Sequence, residues 1–166
     1  TAADLPKAMQ CYEEIIDKTP DIEHLAMWRK GQHPTEETIL SYINKGEFYI
    51  LWDHETIAGM MALANGISET YRTVNWITKA TEAAELHVLG VSPDYQGKGI
   101  ARQLIHEALC LCKENGKKVL RLDVIGTNTV AKKLYPSQGF VFCDTGHLSI
   151  RGYEDMEFLF YEQKIK

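Results

Sequence analysis

The stretch that most constrains this chain is the apolar run Leu86-His87-Val88-Leu89-Gly90-Val91. It breaks at Ser92-Pro93 into Asp94-Tyr95-Gln96-Gly97-Lys98-Gly99 and then into a helical pattern. A short apolar run closed by a proline predicts a strand. Ile100, Ala101, Leu104, Ile105, Ala108, Leu111 and Cys112 then share one helical face, Arg102, Gln103, Glu107 and Lys113 lie mostly off it, and Asn115-Gly116 ends the helix. A strand that feeds a helix through a tight turn belongs to a sheet covered by helices. The turn itself has two readings. Gly97 and Gly99 permit unusual backbone angles and clear side chains from the loop, while the helix start leaves unpaired amides at its positive end, which suits a phosphate or diphosphate with Lys98 and Arg102 at the rim. The other reading is a tight loop whose glycines serve geometry alone.

The flanking segments follow the same logic. Asp4-Leu5-Pro6 opens a helix whose apolar stripe (Leu5, Met9, Tyr12, Ile15, Ile16) ends near Pro20. A second helix starts at Pro34-Thr35-Glu36-Glu37, buries Ile39, Leu40 and Ile43, and stops at Asn44-Lys45-Gly46. Phe48 to Trp52 and Ile57 to Ala64 read as a strand hairpin turning at Asp53-His54-Glu55. Residues 65–83 read as a substrate-side loop, with Val74 to Ile77 as a possible short strand. Val119 to Ile125 is a further strand, with Leu120, Leu122 and Val124 alternating against Arg121 and Asp123. A short helix over Asn128 to Tyr135 and two strands near Phe140–Cys143 and Met156–Glu162 complete the order. The pattern predicts an α/β or α+β architecture around one mixed sheet, without repeat, linker or low-complexity tract.

Composition narrows the classes. At 166 residues the chain fits one domain. A domain of that size buries roughly 68–70% of its unfolded surface, so neither disulfides nor metal are required for stability. Eighteen Lys and Arg against 23 Asp and Glu give a net charge of −5, which argues against a nucleic-acid partner. The longest apolar run, Ile57 to Ala64, is far short of the roughly 20 residues that cross a bilayer. No membrane partner and no secretory signal are expected, and the setting is read as cytoplasmic. The chain opens on Thr1 rather than Met, which predicts that residues preceded it. Cys11, Cys110, Cys112 and Cys143 show no paired framework and read as buried, unpaired thiols. The six histidines show no metal-ligand spacing, so no metal is expected.

Two nucleotide motifs fail against the turn. A P-loop requires Gly-Lys-Ser/Thr, but Ile100 and Ala101 follow Gly99; the dinucleotide fingerprint requires a third glycine where Arg102 stands. What matches is Gln96-x-x-Gly99-x-Ala101 after Val91-Ser92-Pro93. This resembles the acyl-coenzyme A signature of the GCN5-related N-acetyltransferase (GNAT) superfamily, Gln/Arg-x-x-Gly-x-Gly/Ala. A second stretch agrees in register: Asn128, Ala131, Leu134 and Tyr135, then Gly139-Phe140. Together the two signatures cover segments 86–113 and 119–143, and the element order extends the likeness to nearly the whole chain, residues 1–166, as a single N-acetyltransferase domain. The resemblance implies a GNAT fold, a single α/β (α+β) domain with a mixed, mostly antiparallel sheet of about six or seven strands and about four helices.

It also implies roles. Acetyl-coenzyme A would be the acyl donor, passing its acetyl group directly to a primary amine in a ternary complex. The strand before the signature splays from its neighbour at a bulge in this family. Backbone groups of Leu89, Gly90 and Val91 would receive the pantetheine arm and the acyl carbonyl. The amides of Gln96, Gly97, Lys98, Gly99, Ile100, Ala101 and Arg102 would hold the diphosphate, and Asn128 would bond the cofactor arm or fix the loop beside it. Lys132 or Lys133 would approach the nucleotide phosphate, or remain solvated helix residues. Tyr135 matches the general acid, since a phenol with a pKa near 10 is protonated at neutral pH. Glu85 or His87, which share a strand face by period two, or a bound water would take the amine's proton. Trp76 is a candidate wall of the acceptor pocket, and a homodimer would accord with the family. Pro136 departs from the family's continuing helix and predicts a kink or stop there. The alternative class is a non-catalytic acyl-coenzyme A-binding module of the same fold. The acceptor remains open on the sequence.

Overall fold

The computed structural model describes residues 1–166. Six strands form one sheet in the order β1-β2-β3-β4-β6-β5, accompanied by six helices, four of them nine residues or longer. The sheet is mostly antiparallel, with one parallel pair, as expected of the resemblance. By its internal contacts the chain divides into two compact units, Thr1–Ala64 with Leu86–Glu107, and Asn65–Glu85 with Ala108–Lys166.

The first unit is an apolar assembly. Helix α1 (Leu5–Lys18) carries Pro6 in its first turn, where the missing amide costs no hydrogen bond, and it ends before Pro20. Its buried face is Leu5, Ala8, Cys11, Tyr12 and Ile15, with Met9 and Ile16 partly buried beside it. Helix α2 (Ile22–Ala26) is a single turn absent from the sequence reading; left-handed Asp21 and Met27 bound it, too short a span to show periodicity. Helix α3 (Glu36–Asn44) is capped by Thr35, whose hydroxyl accepts the Thr38 amide at 3.1 Å. Strands β1 (Phe48–Asp53) and β2 (Thr56–Asn65) form the expected hairpin, from Phe48↔Ala62 to Asp53↔Thr56. Every residue of β2 from Ile57 to Leu63 is buried, as suits an interior strand.

The second unit contains most of the departures. No strand forms at Val74–Ile77; a short helix α4 (Glu69–Arg72) precedes a loop in which the Trp76 indole donates to the Tyr71 carbonyl. Strand β3 (Ala83–Val91) starts three residues earlier than its apolar run suggested, because Glu85 is buried. Its first residues pair in parallel with β4 (Val119–Ile125), through Ala83↔Val119, Ala84↔Leu120 and Glu85↔Arg121. Helix α5 (Ile100–Glu114) and helix α6 (Thr129–Ser137) match the reading closely. Helix α6 runs through Pro136 and ends one residue beyond it, so Tyr135 stays helical. Strands β5 (Val141–Ile150) and β6 (Tyr153–Lys164) are about twice the expected length, joined at Arg151-Gly152, both left-handed. That two-residue turn matches the strands' twist, but Asp144, Gly146, His147 and Ser149 carry no apolar alternation to announce it. No helix is long and apolar enough to cross a membrane.

Candidate active site

The turn after β3 is built to leave backbone donors open. A 3-10 turn over Pro93–Tyr95 follows the strand, and left-handed Gly97 (φ 75°) and Gly99 (φ 85°) then swing the chain into α5. A methyl group added at either glycine would meet nothing within 4 Å. These glycines therefore serve backbone conformation, and the space above them is open. The Gln96 amide donates to the Pro93 carbonyl and the Lys98 amide to the Tyr95 carbonyl, both at 3.3 Å, so these two are engaged in the turn. The first helical bond is Gln103 to the Gly99 carbonyl. The amides of Gly97, Gly99, Ile100, Ala101 and Arg102 enter none of the turn's hydrogen bonds. Five donors at the positive end of a four-turn helix suit an anionic group. The Gln96 side chain instead braces the loop, donating to Thr19 Oγ1 at 3.2 Å and the Val91 carbonyl at 3.4 Å. Lys98 lies over the Tyr95 ring, whose hydroxyl donates to Asp53 at 2.8 Å.

Upstream, β3 breaks its own regularity. Val88 adopts φ 44°, a left-handed conformation that a β-branched residue rarely takes. The buried Tyr12 hydroxyl donates to the Val88 carbonyl at 2.7 Å. Two residues on, Gly90 leaves room for α1: a Cβ there would sit 3.1 Å from Ile15 and 3.2 Å from both Trp28 and Tyr12. His87 stacks on Tyr42, with ring centroids 6.2 Å apart.

In the second unit, Tyr135 is half-buried and its ring meets Phe140 edge-on at 5.5 Å. Burial and the Asp123 carboxylate push its phenol far above the ordinary value. Asp123 itself accepts the Tyr71 hydroxyl at 2.6 Å. This Tyr71–Asp123–Tyr135 group escaped the sequence reading; its one signal was the pair of charged residues, Arg121 and Asp123, on one face of an otherwise apolar strand. Asn128 caps α6, its side-chain oxygen accepting the Ala131 amide at 2.9 Å. Lys132 donates to the Gly126 carbonyl at 2.8 Å.

Glu85 is 2% exposed and accepts the Ser68 amide at 2.7 Å, so it is no solvated strand end. It forms a lateral row with Arg121 and Glu162 across β3, β4 and β6. Arg121 lies 3.6 Å from Glu162, donates to the Thr78 carbonyl at 2.7 Å and covers the Trp76 ring at 4.5 Å. Trp76, 6% exposed, packs with Tyr71 and Phe160; it is core rather than an acceptor-pocket wall. The loop over 65–82 is thus fastened by three carboxylates, Glu85 on Ser68, Asp144 on Asn75 at 2.9 Å and Glu162 on Thr78 at 2.7 Å. The four cysteines form no disulfide; Cys11 and Cys112 are buried, whereas Cys110 and Cys143 are half-buried.

Comparison with known proteins identifies the family. Residues 9–140 match the family model described as the acetyltransferase (GNAT) family. The [ribosomal protein bS18]-alanine N-acetyltransferase of Haemophilus ducreyi is 31% identical over 131 residues, covering 77% of each chain. An N-acetyltransferase of Methanocaldococcus jannaschii and three mycothiol acetyltransferases are matched over only 21–30% of their own lengths. Among solved structures, a GNAT-family acetyltransferase of Streptococcus agalactiae superposes with a TM-score of 0.77 at 19% identity, covering 99% of this chain and 91% of that one. A Salmonella typhimurium protein solved with its cofactor acetyl-CoA gives 0.72 at 17% identity, covering 100% and 91%. With its sequence matched over most of its length and its fold shared, the chain belongs to the GNAT acetyltransferase family.

Proposed function

We infer that this protein, its two units acting as one N-acetyltransferase domain, moves the acetyl group of acetyl-coenzyme A directly to a primary amine of a small molecule or peptide. The observation that carries the reading is the set of five uncommitted amides at Gly97, Gly99, Ile100, Ala101 and Arg102 beside an open glycine loop. Such donors fit a diphosphate without help from the chain's net charge. Asn128 is assigned to the cofactor arm through the family resemblance. Backbone groups of Leu89, Gly90 and Val91 are read as the seat of the pantetheine and the acyl carbonyl, where amides polarise the carbonyl as negative charge develops.

The amine attacks the thioester carbon, the tetrahedral intermediate collapses, and the coenzyme A thiolate leaves. Tyr135 is assigned the proton given to that sulfur. Its raised pKa keeps the phenol protonated across the neutral range. Glu85 and His87 are the proton acceptors named by the sequence, and Asp123, which accepts the Tyr71 hydroxyl and whose charge raises the Tyr135 phenol, is a third candidate. Glu85→Gln, His87→Gln and Asp123→Asn separate the three, the true base being the one whose loss removes the acidic limb of the pH–rate profile.

The bS18-alanine enzyme of Haemophilus ducreyi, covering most of both chains, supports a peptide α-amine as the first acceptor class to try. Release of thiol from acetyl-coenzyme A is followed with alanine-starting peptides, amino acids, polyamines and aminoglycosides. Turnover with an amine, and an N-acetyl product by mass, is the expected result. Tight binding of coenzyme A without turnover on the whole panel would overturn the enzymatic reading in favour of a binding module.

A further inference from the structure

The left-handed Val88 lies two residues before Gly90, directly ahead of the Leu89–Val91 segment assigned to the acyl group. A β-branched residue at φ 44° persists only where the surroundings impose it. Those surroundings come from 76 residues away. Tyr12 on α1 is fully buried, and its hydroxyl donates to the Val88 carbonyl at 2.7 Å. The ring reaches that carbonyl by crossing Gly90, where a Cβ would stand 3.2 Å from Tyr12 Cε1. Trp28 holds the ring from the side, edge-on with centroids 5.3 Å apart. Burial also pushes the Tyr12 phenol well above its ordinary pKa, so the donor stays protonated.

We propose that Tyr12 is a positioning residue for acetyl transfer: its hydroxyl holds the kink at Val88 and thereby sets the direction of the peptide groups from Leu89 to Val91. A left-handed residue rotates the next peptide away from the strand's regular alternation. The amides that follow then point where a regular strand would not aim them. The claim rests on the acetyl-coenzyme A reading for its catalytic part only; the clamp itself is a property of this chain.

Tyr12→Phe removes one oxygen and keeps the ring. The expected result is a fall in kcat of about tenfold or more, with KM for acetyl-coenzyme A nearly unchanged, since the 97–102 amides do not touch Tyr12. Val88→Gly adopts the left-handed conformation freely, so Tyr12→Phe combined with Val88→Gly should recover the kcat of Val88→Gly alone. A purely structural role for the hydroxyl would show no such rescue. The Cα chemical shift of Val88 and the exchange rate of the Leu89 amide should move in Tyr12→Phe. Unchanged kcat together with unchanged Val88 and Leu89 signals overturns the proposal, as does a double variant no faster than Tyr12→Phe. Should Tyr12→Phe not fold, rescue of folding by Val88→Gly supports the clamp and failure of both variants overturns it. If the wild-type protein turns over no acceptor, the acetyltransferase reading fails, while the Val88 and Leu89 signals still decide the clamp.

Discussion

The two units position their chemistry by different means. In the first, an apolar cluster of α1, α3, β1 and β2 accompanies a loop whose proposed binding atoms are backbone amides. In the second, charged side chains hold the polypeptide: Arg121 and Glu162, each 2% exposed, pair across strands, while the equally buried Glu85, Glu162 again and the more exposed Asp144 each take a loop amide. A backbone-built site tolerates side-chain replacement except where the backbone angle itself demands glycine. A site held by buried charge is exposed to every substitution that leaves one partner alone.

The largest expected effect belongs to the second unit. Tyr135→Phe should lower kcat by about 10²–10⁴ with coenzyme A affinity kept, checked by steady-state rates and calorimetry. An unchanged rate would remove Tyr135 from the chemistry.

Next comes the buried pair. Arg121→Ala leaves Glu162 uncompensated and should cost about 3–5 kcal/mol in urea unfolding. Removing both charges as Arg121→Met with Glu162→Gln should cost much less, and equal losses would show that the pair supports packing rather than charge balance.

In the first unit, Gly99→Ala forces a side chain onto φ 85° without meeting any neighbour. It should destabilise by about 1 kcal/mol and weaken coenzyme A several-fold while kcat is kept. A loss of kcat at unchanged affinity would contradict a diphosphate loop.

The smallest effect is one of pH. Amides of Asn75 and Thr145 hold the Asp144 carboxyl below its ordinary value. A depressed folded pKa adds stability above the unfolded value of about 3.9 and loses it as pH falls through the folded one. Protection of the Asn75 amide should therefore drop below about pH 4, ahead of the α3 amides in the first unit. On the alkaline side both units behave alike. Burial pushes the Cys11 and Cys112 thiols up to about 11, so stability present below the ordinary thiol range of about 8.5 is lost as pH rises toward 11. Cysteine-to-serine variants of each should flatten that limb.

Legibility in the sequence followed the same divide. Leu86 to Glu114 could be read because each signal was local: an apolar run, a proline, two glycines and a 3.6-residue stripe. The second unit resisted. Glu85, Arg121 and Glu162 look like surface residues until three strands bring them into one row, and Trp76 looked like a pocket wall until Tyr71, Phe160 and Arg121 enclosed it. The outer half of the β5–β6 hairpin, beyond the two expected strands, is not legible because it carries polar residues whose pairing comes from the partner strand. Glu85 keeps its candidacy as a base, but its bond to Ser68 adds a holding role that the strand pattern did not express.

The sequence by itself determined the family, the order of the longer elements and the donor-rich turn, because periodicity, capping and glycine placement act between neighbours along the chain. Only the tertiary structure decided how Tyr12 meets Val88, which carboxylates grip the 65–82 loop and how Asp123 meets Tyr71. Those contacts join residues dozens of positions apart, and an isolated charge or hydroxyl in a sequence carries no record of what it will face once water has been removed.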